Sequence, residues 1–311
     1  MKHDLAAGGF AVVCVLHGDP TLPAWMDDES VASALHLVVN DDGPGRYLRL
    51  PPARSVHRND TPLGFAHNVN AALGRLWGGQ RDAPDLAICA NFDLELVGAS
   101  LTALAHCLRS HPGAAAAAPR LTDRQGRPVF SVGTPPTALK EFTRAVGLRE
   151  GGLQRALRAV LRRRRSWQTR NQAGSGSRLL GPDEYLPWTC LALRRAAWEE
   201  VGPLDERFPM YGEDIDWGRR AAAGGWSAVL VDVGRVVHQE RATHGARTNA
   251  MYELSHARLH AKYGDAALGR WQSRGLTARR VLGRGSRAGG ALPPLDWDYL
   301  RQGLASDGAA R

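Results

Sequence analysis

Short runs of apolar, β-branched residues alternate along the first half of the chain with stretches whose apolar positions have helical spacing. Each apolar run ends in polar or turn-forming residues, which is typical of a buried strand. Three such strands are predicted, at residues 10–16 (FAVVCVL), 35–39 (LHLVV) and 86–90 (LAICA). Helices are predicted between these strands, at residues 28–35 and within 59–76, and after the third strand, at 98–109. Strand, helix and strand within about 40 residues indicate a βαβ unit with a parallel pair of strands.

The second half of the chain continues this alternation. Consecutive alanines at residues 114–118 are compatible with a helix by propensity, but Gly113 and Pro119 leave little room for one, so a strand is predicted. A helix at 196–201, another near residue 213 and a strand at 228–238 complete the predicted core. The whole pattern indicates an α/β fold with a central sheet flanked by helices.

Polar side chains follow the predicted strands at their carboxyl ends. His17 follows the first strand, Asn40 and Asp41 follow the second, and Asn91 and Asp93 follow the third. In an open α/β sheet the ligand crevice lies at this edge. These residues are therefore candidates for substrate binding.

Asp93 has two interpretations. An aspartate after a strand is commonly a turn former or the N-cap of the next helix. A carboxylate at a strand end can also bind Mg²⁺ or Mn²⁺ while the diphosphate of a bound nucleotide fills further coordination positions. His238 ends the last predicted strand, where its imidazole could reach that metal or the diphosphate, or be structural.

Three carboxylates open the helix predicted near residue 213. Glu213, Asp214 and Asp216 lie in its first turn, and Arg219 and Arg220 follow. A helix dipole favours acids at the start of a helix and bases further along. A charged surface helix therefore explains this pattern as well as an active site does.

Composition and charge limit the partners. With 311 residues, 43% of them hydrophobic and 23% charged, the chain can fold as one large α/β domain or as a main domain with appendages. The net charge of +9 indicates an anionic partner. The strongly basic segments offer few aromatic side chains for base stacking, so no specific nucleic acid is expected. The four cysteines lack metal-binding or disulfide spacing and are predicted to be buried.

Residues 153–165 (LQRALRAVLRRRR) form a candidate amphipathic helix. Leu153, Leu157 and Leu161 share an apolar stripe, and a run of arginines ends at Arg165. The helix would either pack on the core with a solvated basic face or attach peripherally to an anionic membrane. The chain shows no run of about 18 apolar residues and no leader-like N-terminus. The predicted location is the cytoplasm, with peripheral attachment at the inner face of the plasma membrane as the alternative.

The order of these segments resembles the family 2 glycosyltransferases of the GT-A fold, especially the rhamnosyltransferase-like branch that builds bacterial cell-surface polysaccharide. FAVVCVLHGDP and LHLVVNDDG are similar to the family's first two strands, NDTPLGFAHNVNAAL to its N-x-G-F segment, and LAICANFDLEL to its L-N-P-D segment. EYLPWTCLALRRAAWEEVGPLDERFPMYGEDIDWGRR matches the long family pattern that ends in E-D-x-D, and VVHQE carries the late histidine. The resemblance covers residues 11–264 and is strongest over residues 184–238.

The resemblance implies an inverting transfer of a sugar from a nucleoside-diphosphate sugar to a hydroxyl group. Asp93 and His238 would bind a divalent metal, Mg²⁺ or Mn²⁺. Asp214 would be the general base, and Glu213 would orient it or bind the acceptor. Asp216 would belong to the substrate site, cap its helix or bind a neighbouring arginine.

The resemblance also implies the remaining substrate contacts. The nucleoside would contact His17 and Asp41, while Asn91 and Trp188 would complete the substrate site. The acceptor would be a saccharide or a polyprenyl-linked saccharide. The chain departs from the family at Asn40, which stands where the first aspartate after the second strand is usual, so that nucleoside recognition shifts by one residue to Asp41.

The predicted organisation is one GT-A domain over residues 1–264, with a Rossmann-like mixed sheet and a basic helical insertion at 139–180. A basic, partly flexible, helical extension rich in Gly, Arg and Ala follows over residues 265–311. The alternative function is a non-catalytic protein that binds sugar nucleotides or polyanions on the same fold, with the basic segments as its binding surface.

Overall fold

The structure, a computed structural model, describes residues 9–17, 22–41, 50–79, 82–134, 176–208 and 210–239, with 252, 255, 256, 258–260, 262 and 263. The side chain of Asp41 lies outside this description, as do the predicted helix at 153–165, most of the insertion and the C-terminal extension. Predictions for those parts stay predictions. The chain forms two compact units. The first comprises Met1–Pro135, Ser166–Asp205 and Asp214–Ala242, and the second comprises Pro136–Arg165, Glu206–Glu213 and Thr243–Arg311.

Most of the described elements belong to the first unit. Its strands are β1 (Phe10–His17), β2 (Leu35–Asp41), β3 (Ser55–Arg58), β4 (Leu86–Ala90), β5 (Leu94–Glu95), β6 (Ala114–Pro119), β7 (Arg178–Leu179), β8 (Cys190–Arg194), β9 (Ser227–Val231) and β10 (Val237–His238). The helices whose bounds the structure describes are α1 (Glu29–Ala32), α2 (Phe65–Trp77), α3 (Gly98–Arg109), α4 (Arg195–Val201) and α5 (Glu213–Ala223), and a short 3-10 helix spans Ala24–Asp27. Among the described helices, none is both long enough and apolar enough to cross a membrane.

Eight of these strands form one sheet in the order β3-β2-β1-β4-β8-β6-β9-β7. β1 runs parallel to β2 and β4, and β2 runs parallel to β3. β8 runs antiparallel to β4 and β6, whereas β6 and β9 are parallel. The sheet is therefore mixed, which confirms the predicted Rossmann-like α/β architecture. β5 and β10 form a separate antiparallel pair.

Side chains of β1 alternate between two hydrophobic cores on the two faces of the sheet. Val12 and Cys14 belong to one core, and Ala11 and Val13 belong to the other. Because both faces are covered, the strand is apolar throughout its buried length. This burial explains why continuous apolar runs, rather than alternating ones, predict the central strands.

The strand predicted at 228–238 is wrong over its second half. β9 ends at Val231, and the chain then turns through Gly234, whose φ of 86° is readily adopted only by glycine. The last two residues of the predicted strand form β10, which pairs with β5 outside the main sheet. This displacement changes the position of His238.

Two further elements, α1 and the edge strand β3, differ from what the sequence predicts. The helix predicted at 28–35 is shorter, because Leu35 already begins β2. The edge strand β3 is not predicted by the apolar pattern, since its sequence SVHR is polar and largely exposed. Its pairing with β2, rather than burial, defines it.

Three of the four cysteines lie on neighbouring strands of the sheet and are buried, as predicted: Cys14, Cys89 and Cys190. Burial raises the pKa of Cys89 and that of Cys190 to about 12. Both thiols therefore stay protonated at neutral pH, where they act as small apolar side chains. Cys107 is half-buried.

Arg178 and Glu184 form a half-buried ion pair directly before Tyr185, which packs on α5. Glu184 accepts hydrogen bonds from Arg178 Nη1 at 2.7 Å and from a backbone N–H at 2.8 Å. Burial alone would raise the pKa of Glu184, but the Arg178 side chain and this backbone donor lower it below its ordinary value. The next residue, Tyr185, packs so closely on Gly218 of α5 that an added Cβ there would lie 3.3 Å from its Cβ.

We expect acid to weaken this pair. The folded-state pKa of Glu184 lies below the unfolded value near 4.5, so its contribution to stability is present above that pH and is lost as the pH falls through the folded pKa. Glu184→Gln should lower the free energy of unfolding at pH 7 by on the order of 1 kcal/mol. Denaturation curves of both proteins should converge once the pH falls below the folded-state pKa of Glu184. A difference that stays constant with pH would contradict this prediction.

Candidate active site

The short strands β5 and β10 bring the two predicted metal ligands together. Asp93 directly precedes β5, and Leu94 of β5 lies opposite His238 of β10. His238 Nε2 is 3.3 Å from Asp93 Oδ2. The backbone N–H of Gln239 also donates to the Asp93 carbonyl at 3.1 Å. Backbone pairing therefore sets the distance between this carboxylate and this imidazole.

Asp93 combines burial with a carboxylate oxygen that lacks a hydrogen-bond partner within the described residues. It is only 7% exposed, yet within the described residues its Oδ1 has no hydrogen-bond partner. Burying a carboxylate oxygen in this way costs free energy unless something binds it. Carboxylate oxygens suit Mg²⁺ and Mn²⁺, and imidazole is a common metal ligand. The Asp93–His238 pair thus fits a divalent cation. The described part of the chain holds no group of three or more such side chains.

Glu95, the second residue of β5, braces this pair of strands. Its carboxylate accepts hydrogen bonds from Arg124 Nε at 3.0 Å and Nη2 at 2.7 Å. Gln239, next to His238, donates to the same oxygen through its side-chain amide. Because two-residue strands are marginal by themselves, these side-chain bonds help to hold β10 against β5.

The predicted nucleoside contacts lie at the ends of β1 and β2. His17 is exposed, and its Nδ1 is 3.2 Å from Asn40 Nδ2. Asn40 is buried and also bonds Leu63 and Asn59. Asp41 is the strand partner of His17, so the backbone places these two candidates side by side.

The other two predicted substrate contacts are positioned by the core. Asn91 follows β4 and is half-buried, and its backbone N–H donates to the Thr189 carbonyl at 2.9 Å. Trp188 is 5% exposed and lies edge-on to Trp217 of α5, with ring centroids 5.7 Å apart. Trp198 lies 6.3 Å from Trp188 in the same cluster. The structure therefore gives Trp188 a packing role against α5, and its substrate contact stays a prediction.

Helix α5 carries the acidic motif. Asp214 is half-buried, and its Oδ1 accepts a hydrogen bond from the backbone N–H of Ile215 at 2.8 Å. Trp217 fixes the helix, because its ring packs in the tryptophan cluster and its Nε1 donates to the Gly202 carbonyl at 3.0 Å. The position of Asp214 is therefore set by a rigid element rather than by a loop.

Asp216 binds a neighbouring arginine, which was one of its three predicted alternatives. The residue is fully buried, and its Oδ2 accepts a hydrogen bond from Arg220 Nε at 2.9 Å. The same guanidinium donates to the Val201 and Pro203 carbonyls at 2.5 and 2.7 Å. Asp216 thus neutralises an arginine that ties α5 to the end of α4.

Asp216→Asn is expected to lower the free energy of unfolding by about 2 kcal/mol, because the Arg220 guanidinium loses its charged partner. The partial exposure of Arg220, 27% of its side chain, keeps the loss below that of a fully buried pair. Chemical denaturation measures this effect. Loss of sugar transfer at unchanged stability would instead show that Asp216 acts on substrate.

The segment that precedes α5 belongs to the second unit and has an unusual backbone. Tyr211 has a φ of 67°, which is uncommon for a residue other than glycine, and Gly212 has a φ of 95°. Ser255 Oγ donates to the Met210 carbonyl at 2.9 Å, and an added Cβ at Gly212 would lie 3.3 Å from the Ser255 Cβ. Backbone strain of this kind persists where the surroundings fix it, and it is frequent at active sites. Glu213 follows directly and is buried.

Four supporting residues are not identified by the sequence pattern: Asn59, Asn68, Glu95 and Arg124. Asn68 carries a weak signal, because it is an amide on the buried face of α2, where a polar group needs a partner. Asn59 Nδ2 donates to its Oδ1 at 2.7 Å. Glu95 and Arg124 carry no such signal, since only the fold brings them together.

Comparison with known proteins identifies relatives over much of the chain. No protein-family model matches it. N-acetylglucosaminyl-diphospho-decaprenol L-rhamnosyltransferase of Mycobacterium tuberculosis is 30% identical over 230 residues, which are 70% of this chain and 71% of that protein. O-antigen biosynthesis protein RfbC of Myxococcus xanthus is 39% identical over 70 residues, which are 22% of this chain and 6% of that protein.

Among solved structures, GalNAc-T7 with UDP, GalNAc and Mn²⁺ matches with a TM-score of 0.52 at 13% identity, over 96% of this chain and 54% of that one. The chain spans about half the length of that protein, and this likeness concerns the fold alone. The architecture is that of a GT-A glycosyltransferase. The chain belongs to the rhamnosyltransferase-like family 2 glycosyltransferases. The predictions of fold, family and enzyme class are thereby confirmed.

Proposed function

We propose that the protein transfers a sugar from a nucleoside-diphosphate sugar to a hydroxyl group of a lipid-linked saccharide, with inversion at the anomeric carbon. The Asp93–His238 pair carries this proposal. It sets a buried carboxylate beside an imidazole, and within the described residues one carboxylate oxygen has no hydrogen-bond partner. Asp93 follows β4, next to β1, at the edge where α/β sheets bind nucleotides.

The main difficulty of the reaction is the charge that develops on the leaving diphosphate. A bound Mg²⁺ or Mn²⁺ would supply a Lewis acid that stabilises this charge. Asp93 would hold the cation through its carboxylate, and His238 would hold it through Nε2. Glu95 and Arg124 would keep both ligands in place by bracing β5 against β10.

The attacking hydroxyl must also lose a proton, and Asp214 is the proposed acceptor. Inversion requires attack from the face opposite the leaving group, so the base must act on the side of the anomeric carbon away from the diphosphate. The N–H of Ile215 orients the Asp214 carboxylate at the start of α5. Glu213 would bind the acceptor or orient Asp214.

The acceptor and donor classes come from the mycobacterial relative. Its name specifies an L-rhamnosyl group and a decaprenyl-diphosphate-linked N-acetylglucosamine acceptor. We extend a polyprenyl-linked saccharide acceptor to this protein, with L-rhamnose as the first sugar to test. The net charge of +9 suits a diphosphate lipid in an anionic membrane. Attachment to the membrane through residues 153–165, at its cytoplasmic face, is part of this proposal.

A donor screen tests the proposal. The full-length protein is mixed with single nucleoside-diphosphate sugars and a short-chain prenyl-diphosphate N-acetylglucosamine, with Mn²⁺ or with EDTA. We expect nucleoside diphosphate release that needs both the acceptor and the cation, and an inverted anomeric centre in the product by NMR. Donor binding without turnover for any sugar would contradict the transferase proposal. Full turnover in EDTA would contradict the proposed requirement for a divalent cation.

A further inference from the structure

His17 lies at the point of the sheet where the strand order reverses. β1 stands between β2, which leads outward to β3, and β4, which starts the other half of the sheet. Open α/β sheets bind ligands at the carboxyl ends of the strands at such a switch point. His17 is the last residue of β1, and its side chain is exposed there.

Asn40 is an extra residue in the pairing of β1 with β2. Leu16 pairs with Val39, whereas His17 pairs with Asp41, so Asn40 has no partner in the register. A bulge of this kind turns a side chain away from its regular direction. The Asn40 side chain is buried and not presented to solvent.

The orientation of the Asn40 amide is fixed by the backbone of Leu63. The Leu63 N–H can only donate, and it lies 2.8 Å from Asn40 Oδ1. The Leu63 carbonyl can only accept, and it lies 2.9 Å from Asn40 Nδ2. Exchanging the oxygen and nitrogen of the amide would break both bonds, so the assignment does not depend on any other side chain.

This orientation determines which ring nitrogen of neutral His17 carries the hydrogen. Asn40 Nδ2 is a donor and lies 3.2 Å from His17 Nδ1, so Nδ1 must accept. A neutral imidazole carries one N–H, which then has to be on Nε2. The described residues provide no hydrogen-bond partner for that N–H.

The Asn40 side chain has no hydrogen-bonding position left for substrate. Its oxygen accepts from Leu63 and Asn59, and its nitrogen donates to Leu63 and His17. An amide has two lone pairs and two hydrogens, so all four positions are used. Asn40 is therefore a positioning residue for His17 and is not itself a nucleoside contact.

We infer that His17 is held as the Nε2–H tautomer and donates a hydrogen bond to an oxygen of the donor nucleoside. This inference rests on the proposed function, because it requires a nucleotide at the switch point. The acceptor oxygen belongs to the base or to the ribose. Either source has the same chemistry, and the choice of nucleotides below separates them.

Two isosteric substitutions separate this role from a structural one. His17→Gln places an amide N–H near the position of Nε2, and His17→Asn places an amide near Nδ1, within reach of Asn40. Calorimetry with Mn²⁺ gives Kd for UDP, dTDP, ADP and inorganic pyrophosphate. We expect His17→Asn to raise Kd for UDP roughly tenfold, and His17→Gln to keep it within about threefold. Pyrophosphate should bind both variants like the wild type.

The nucleotide panel then identifies the oxygen. A penalty in His17→Asn that is absent with ADP assigns the bond to a base carbonyl, and one absent with dTDP assigns it to the ribose 2′ oxygen. The reverse ranking, with His17→Gln weak and His17→Asn normal, would overturn the inference. An equal loss of pyrophosphate affinity would also overturn it, since the contact would then be to the diphosphate.

The tautomer can be read directly in the wild type. In long-range ¹H–¹⁵N spectra of protein labelled at histidine, the signal that disappears in His17→Gln belongs to His17. We expect the pattern of an Nε2–H imidazole with an unprotonated Nδ1, and an Nδ1–H pattern would overturn the inference. Failure of the proposed function is distinguishable, because the wild type would then bind no nucleoside diphosphate and show no transfer with any donor.

Discussion

Asp214→Asn is expected to lower kcat for sugar transfer by about 10²–10⁴ while changing Kd for the donor by no more than about twofold. The range is that of a general base that takes a proton in the transition state. Asparagine keeps the shape of the side chain and can still accept the hydrogen bond from Ile215, 2.8 Å away in the wild type. Single-turnover transfer and donor calorimetry measure the two quantities separately.

Stability supplies the control for this variant. Asp214 is half-buried, so Asp214→Asn should unfold at nearly the wild-type denaturant concentration, in contrast to Asp216→Asn. Glu200→Gln, an exposed carboxylate on α4, should change neither turnover nor stability. Full activity of Asp214→Asn would remove Asp214 from the base role and leave Glu213 as the next residue to test.

Elements that depend on local pattern are the ones the sequence predicts well. β4 and α3 have the predicted bounds, Leu86–Ala90 and Gly98–Arg109. Both are buried against the sheet or within it, so burial alone produces their apolar periodicity. The parallel pairing of β1 with β2 follows from the strand, helix and strand order.

Elements that depend on distant pairing are not predicted. β10 is two residues long, and it exists because β5, far away in the sequence, pairs with it. No local property of Val237 and His238 distinguishes them from a continuation of β9. Tertiary contacts such as the Glu95–Arg124 ion pair support this short pair of strands, and no periodicity encodes them.

The candidate site shows the same division. Asp93 and His238 could be selected because one follows a predicted strand and the other ends one, but only the fold gives the 3.3 Å between them. Asn40 could be noted as a departure from the family, and the predicted shift toward Asp41 followed from it. The saturated Asn40 amide and the tautomer it imposes on His17 depend on the direction of single hydrogen bonds, which a sequence does not specify.

Asp93→Asn is expected to weaken Mn²⁺ binding by roughly 100-fold or more, since even residues that only support a metal ligand are typically worth 10–100-fold. Turnover at a fixed Mn²⁺ concentration should fall by a similar or larger factor, because stabilisation of the leaving diphosphate is lost. Calorimetry, or paramagnetic resonance of free Mn²⁺, measures the affinity. Asp85→Asn, at an exposed carboxylate directly before β4, is the matched control.

Measurements of stability with and without metal test whether Asp93 belongs to a preformed cation site. In the wild type, burial of a carboxylate with an unsatisfied Oδ1 costs free energy, so the neutral Asp93→Asn side chain should leave metal-free stability unchanged or higher. Added Mn²⁺ should raise the melting temperature of the wild type and of Asp85→Asn, because only the folded state binds it, but not that of Asp93→Asn. If Asp93→Asn instead unfolds more easily without metal and still gains stability from Mn²⁺, Asp93 is a structural residue and the cation binds elsewhere.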